Sequence, residues 1–259
     1  MSGQITRRLK PEEEEIFRKR EELAVISAAL AEREVELVDL RSQLAAFEGR
    51  YLRQVGALYA ELDEWKARIS ELHGRLDPSA SASARAREAR EQARQTFEDA
   101  HGKASEARDY IPSPELRSLF REIAKRIHPD FCKDAGDLER RTRFMAEANR
   151  AYEAGDAEVL QRILDEYLDG ADAVRGEGIG AELIRTIRQI SKAKKRLAAI
   201  ELELAGLSQS EIALLRKQAD EIKREGRDLL AELASAVRQQ IIRAKNQYEM
   251  LATEDNPRG

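Results

Sequence analysis

Leu119-Phe120-Arg121-Glu122-Ile123-Ala124-Lys125-Arg126-Ile127-His128-Pro129-Asp130 reads as an amphipathic helix that runs into a His-Pro-Asp stop. Leu116, Leu119, Phe120, Ile123 and Ile127 recur at helical spacing and mark one apolar face. Arg117, Arg121, Lys125 and Arg126 fall mostly on the remaining surface, opposed by Glu115 and Glu122, so the outer face is basic. Proline has no N–H for the helical ladder and biases the residue before it away from the helical region, so the helix closes at His128. At the other end Pro112 and Pro114 force a break, and Ser113 is placed to cap the helix with Pro114 at its first position.

Working outward, a loop from Phe131 to Gly136 leads to a further helix beginning near Asp137, with Leu138, Met145, Ala148 and Tyr152 on one face. The two helices form an antiparallel hairpin with the tripeptide at its tip. Gly155 ends the second helix and Asp156 caps a third, whose apolar face is Val159, Leu160, Ile163, Leu164 and Tyr167. Residues 112–169 are therefore expected to be a small helical domain, its core including Leu119, Phe120, Ile123, Met145, Ala148 and Tyr152.

The flanking sequence predicts long helices. Pro11 and the acidic run Glu12 to Glu15 suit a first helical turn, where carboxylates oppose the positive end of the macrodipole. Leu23, Leu30, Leu37, Leu44 and Tyr51 then repeat as heptads, with Ile26, Leu40 and Phe47 as a second seam and Arg33 interrupting it. After Phe47 the register slips by four residues and resumes through Tyr51, Val55, Leu58, Leu62, Trp65, Ile69, Leu72 and Leu76, the mark of a stutter. No isolated helix buries such a seam, so the expected coiled coil over 11–77 needs a partner helix, from its own chain or from a second copy. A homo-oligomer is the expectation, with a fold-back hairpin as the alternative.

Pro78 and the low-complexity run Ser79 to Ala84 read as a linker over 78–84, followed by an Ala/Arg/Glu-rich helix over 85–111. That helix carries a weak stripe of Phe97, Ala100, Ala104, Ala107 and Ile111. Gly170, Gly176, Gly178 and Gly180 make 170–180 a flexible linker. Residues 181–252 read as an antiparallel helical hairpin, turning at Gly206 and Leu207, with Ser208 and Glu211 as a capping box. The basic run Lys192, Lys194, Lys195 and Arg196 lacks interleaved aromatics, so a solvated face is favoured over nucleic-acid contact. The fold class expected is all-α, with long coiled-coil helices flanking the small central domain.

Composition agrees with this and bounds the function. With 5% aromatic, 36% charged and 14 glycines in 259 residues, the chain has the make-up of charged helices more than of one compact core. Its 45 Lys and Arg nearly balance 49 Asp and Glu, so the net charge of -4 gives no general push toward nucleic acid or an anionic membrane. The longest apolar stretch, near Ala24 to Ala31, is far too short to span a bilayer, and Met1 to Pro11 lacks the apolar core of a secretory signal. One cysteine, Cys132, allows no internal disulfide, and a reducing, cytoplasmic compartment is expected.

The stretch from Leu119 to Asp130 resembles the second helix and signature tripeptide of the J domain of the DnaJ family, and Met145 to Tyr152, with Asn149, Ala151 and Tyr152, resembles its third helix. The resemblance covers Pro114 to Leu168 and leaves the rest of the chain outside it. It implies a co-chaperone that recruits a DnaK-type heat-shock chaperone and stimulates its ATP hydrolysis, at a target held by the coiled-coil arms. It also implies that His128, Pro129 and Asp130 are the trigger and that Arg117, Arg121, Lys125 and Arg126 attract an acidic partner surface. The family's usual Tyr-rich first helix has no clear counterpart; the stripe from Phe97 to Ile111 is a candidate substitute. A Gly/Phe-rich segment and zinc-binding cysteines are also lacking, as in specialised J proteins. The competing expectation is a coiled-coil scaffold whose degenerate J-like domain serves only for assembly.

Enzymatic chemistry is not expected, nor is a cofactor. His128 and Cys132 are four residues apart, but Pro129 breaks the helix that would align them as nucleophile and base or as metal ligands. Carboxylate pairs such as Asp165 and Glu166 suit a solvated helix face, with no pocket to make them an acid–base pair.

Overall fold

The computed structural model describes residues 11–76, 79–102, 112–132, 134–169 and 178–255. Among them there is no strand, and the fold is all-α. In chain order the elements are α1 (Pro11–Tyr51), a π-helical turn (Leu52–Gly56), α2 (Ala57–Leu76), α3 (Ala80–Gly102) and α4 (Pro114–Ile127). A short 3-10 turn (Pro129–Phe131), α5 (Ala135–Ala154), α6 (Ala157–Asp169), α7 (Ile179–Ser208), α8 (Glu211–Arg224) and α9 (Leu229–Asp255) follow. None of these helices is long and apolar enough to cross a membrane.

The chain forms two compact units, and α1 contributes to both, through Ser42 to the first and from Gln43 to the second. In the first unit α4 and α5 make the expected hairpin and α6 packs on it. Phe120, Ile123, Met145, Ala148, Tyr152 and Leu160 are buried in their shared core, with Leu119 partly buried at its edge. Leu138 departs from the expected packing face and is 41% exposed. The layer that closes this core is α1, through Ala31, Val35 and Val38.

The remaining element of the first unit, α7, runs parallel to α1. The pairs Arg20–Glu182, Glu34–Arg196 and Arg41–Glu203 all have a separation of 162 residues, a constant offset that only parallel helices give. Heptad residues Leu30 and Leu37 are buried against Ala193 and Ile200, so this part of the seam is covered by the same chain.

In the second unit α3 runs antiparallel to α2. Asp63 meets Thr96 and Glu71 meets Arg90, the separation falling from 33 to 19 residues toward the connection. Helix α9 lies along α2 in the parallel sense: Glu61 pairs with Lys245 at 2.9 Å, and one turn on Trp65 meets Tyr248 edge-on with ring centroids 5.7 Å apart. Phe47, Tyr51, Val55 and Leu58 all reach the apolar cluster of Leu230 and Ala234. The four-residue slip is accommodated by the π turn, whose wider winding keeps Val55 on the face that Phe47 occupies about two turns earlier.

Several sequence boundaries shift. Ala80 to Ala84, expected as linker, form the first turns of α3. The segment 181–252 is divided: α7 belongs to the first unit, α8 and α9 to the second. Ser210, not Ser208, caps α8 by accepting from the Ala213 N–H. The last helix is interrupted at Gly226, whose φ of 79° suits a residue without Cβ, and Asp228 restarts it by accepting from the N–H groups of Leu230 and Ala231. Pro78, Ala104, Ala107, Ile111, Gly170 and Gly176 lie outside the described residues.

Candidate functional site

The site is the tip of the α4–α5 hairpin. Ser113 caps α4 by accepting the Leu116 N–H at 3.1 Å, with Pro114 in the first turn, as the sequence predicts. At the other end Ile127 is the last helical residue, and His128 turns into an extended conformation with ψ of 132° ahead of Pro129. The His128 ring folds over the turn it opens, and Nδ1 accepts the Asp130 backbone N–H at 3.1 Å. With Nδ1 as acceptor, the ring proton sits on Nε2.

That proton is directed at α1. His128 Nε2 lies 3.2 Å from Glu34 Oε1, and both residues are buried. Arg196 of α7 donates to the same carboxylate, Nε to Oε1 at 2.8 Å and Nη2 to Oε2 at 3.2 Å. Burial pushes the Glu34 carboxyl upward, but the bonds from His128 and Arg196 outweigh it and hold the group below its ordinary value. Glu34 is therefore an anion tying the tripeptide to two other helices.

Two further residues fix the tip. Buried Arg141 of α5 donates Nη1 to the carbonyls of Arg126 at 2.9 Å and His128 at 3.3 Å, while Nε bonds Asp137 at 2.8 Å. The Arg126 carbonyl lies in the last turn of α4 and loses its own helical donor, because the Asp130 N–H goes to His128 Nδ1. The His128 carbonyl also accepts the Phe131 N–H; Arg141 thus does for the C-terminus what Ser113 does at the start. Gln189 of α7 donates to the Phe131 carbonyl at 3.0 Å, and the Phe131 ring sits 5.6 Å from that of His128.

The expected cations are divided. Arg117 pairs with Asp39 at 2.8 Å and Arg121 with Glu32 at 2.5 Å, both partners on α1. The Tyr152 hydroxyl also donates to Asp39, while its ring packs 4.8 Å from that of Phe120. Burial and the neighbouring Asp39 carboxylate raise the Tyr152 pKa, which keeps the hydroxyl a donor. Arg126 pairs with Glu122 at 2.5 Å within α4, and Lys125 is exposed. Pro129 and Asp130 are partly exposed at the apex.

The structure thus joins the three tripeptide residues and the expected core, but turns Arg117 and Arg121 toward α1 instead of outward. Sequence reasoning missed Glu32, Glu34, Asp39, Arg141 and Gln189, and placed Arg196 on a solvated basic face where the structure bonds it to Glu34. Their only advance signal was the row of carboxylates on α1, lying beside the heptads that reveal a packed face. Phe97, the proposed start of a substitute first helix, is 55% exposed and belongs to the second unit, so the layer sought there is supplied by α1. Among the described residues no group of three or more His, Cys, Asp or Glu side chains is arranged to hold a metal ion. No protein-family model, curated protein or solved structure matches the chain.

Proposed function

We propose that this chain is a J-domain-type co-chaperone, which recruits a DnaK-type heat-shock chaperone and stimulates its ATP hydrolysis at a target bound by the long helices. The observation that carries the reading is the rigid apex: His128, Pro129 and Asp130 end a basic helix in a turn whose shape is fixed by the His128–Asp130 bond. Pro129 fixes the backbone, and the partly exposed Asp130 carboxylate is available for a charge-assisted bond to a partner arginine. Such a contact works by favouring one conformational state of the partner, whose own site performs the chemistry. The same proposal carries a cytoplasmic location, where such a chaperone meets its clients.

A specific observation favours a second reading. Arg117, Arg121 and His128 are all engaged by carboxylates of α1, as they would be in a scaffold whose hairpin serves only for assembly. Steady-state ATPase assays with a DnaK-type chaperone separate the two. Stimulation that disappears in His128→Gln supports the co-chaperone, and no stimulation by the wild-type chain leaves the scaffold.

A further inference from the structure

The basic run on α7 has no part in the reading above, yet the structure brings it beside the tripeptide. Gln189 bonds the Phe131 carbonyl and Arg196 bonds the carboxylate that holds His128, so both lie on the side of α7 turned to the tip. Lys192 follows Gln189 by three residues and precedes Arg196 by four, which puts it on the same helical face. Arg188 and Lys195 are its neighbours one turn back and one turn on, and all three side chains are exposed. Between Glu182 and Glu201 the helix carries no carboxylate. Lys194 and Arg196 are committed to Glu22 and Glu34. Arg188, Lys192 and Lys195 have no such ion pair among the described residues.

Resting on the co-chaperone reading, we propose that Arg188, Lys192 and Lys195 of α7 form the cationic half of the docking surface beside His128, Pro129 and Asp130, and that it receives an acidic face of the chaperone's ATPase module. The argument is one of charge and availability. A partner that needs cations next to the tripeptide finds Arg117, Arg121 and Arg126 neutralised by Asp39, Glu32 and Glu122. That leaves Lys125 as the one of the four expected α4 cations with no ion pair among the described residues. On α7 it finds three unneutralised cations spread over roughly 10 Å of helix. Exposed Ile184, one turn before Arg188, extends the same surface with apolar area. Long-range attraction from such a row acts mainly on the rate of encounter and falls with salt.

The test is binding of the full-length chain to the ATPase module of a DnaK-type chaperone, measured at low and high salt alongside ATPase stimulation. Arg188→Glu/Lys192→Glu/Lys195→Glu is expected to raise Kd about tenfold or more at low salt and to flatten its salt dependence, while Arg117→Gln/Arg121→Gln changes Kd less than about twofold. The corresponding Gln triple, a milder change at exposed positions, is expected to fall between, and circular dichroism of each variant confirms folding. Wild-type binding and His128-dependent stimulation that the charge reversal leaves intact overturn the proposal and leave the co-chaperone reading standing. A wild-type chain that neither binds nor stimulates overturns both. Binding of a DNA duplex that the reversal abolishes, with none to the chaperone, assigns the row to nucleic acid and overturns it as well.

Discussion

Glu34 and His128, 94 residues apart in the chain, meet in a buried bond of 3.2 Å that ties the apex of the α4–α5 hairpin to α1. The carboxylate also receives Arg196, so one anion organises two donors from two helices. Removing it strands both.

Glu34→Ala is therefore expected to cost about 2–3 kcal/mol at neutral pH, the penalty for leaving a buried imidazole N–H and part of a guanidinium without an acceptor. Denaturant unfolding measures it. Glu34 is held below its ordinary value of 4.5, so its contribution to stability is present above that value and is lost as pH falls through the lower folded value. Wild type should lose more stability than Glu34→Gln on acidification below about pH 4.5, because the amide does not titrate. Equal slopes for the two proteins would show that the carboxylate is not held in this bond.

Arg141 is the second residue whose loss should reach the tip. Arg141→Ala removes donors from the Arg126 and His128 carbonyls and breaks the pair with Asp137. A loss of about 2–3 kcal/mol is expected, since the bonds are charge-assisted and the side chain is buried. Lysine at this position reaches fewer acceptors at once and should recover only part of it. Hydrogen exchange at Phe131 and Cys132, the N–H groups that close the 3-10 turn, should rise in step with the loss. Unchanged exchange would separate Arg141 from the geometry of the tripeptide.

Tyr152 and Asp39 give a pairwise test of the α1–α5 contact. Tyr152→Phe keeps the ring against Phe120 and removes only the hydroxyl, so about 1 kcal/mol is expected. Tyr152→Ala also empties ring volume in a fully buried site, and about 3–5 kcal/mol is expected. Because Asp39 serves Arg117 too, Asp39→Asn should cost more than Tyr152→Phe. A double-mutant cycle between Tyr152→Phe and Asp39→Asn should return a coupling of at least about 0.5 kcal/mol, and strict additivity would contradict the contact.

Local signals were legible in the sequence and long-range ones were not. Ser113 with Pro114, Gly155 with Asp156, and the apolar row from Leu116 to Ile127 each act within a turn or two of chain, and the structure keeps all of them. Heptads state that a face is buried but not what buries it. Leu30 and Leu37 could not reveal Ala193 and Ile200 as partners, nor could Ala31, Val35 and Val38 reveal that they close the hairpin core. The candidate site suffered most from this. Basic residues on an amphipathic helix look solvent-facing until the carboxylates of α1 are brought to them by an association that leaves no local trace. Gly226 and Asp228 were readable as a stop and a cap, but the apolar periodicity running across them concealed the break.

The seam also bears on self-association. Heptad residues Leu30 and Leu37 in the first unit, and Phe47 and Val55 in the second, are buried by helices of the same chain, so the need for a partner helix is met there without a second copy. Sedimentation at micromolar concentration should accordingly give the mass of one chain, 29.3 kDa. Leu37→Asp is the complementary probe: it places a charge among Leu30, Ala193 and Ile200, and is expected to cost more than about 3 kcal/mol without changing the oligomeric state. A wild-type mass of two chains that Leu37→Asp converts to one would show that these heptads pair between copies, as in the homo-oligomer expected from the sequence.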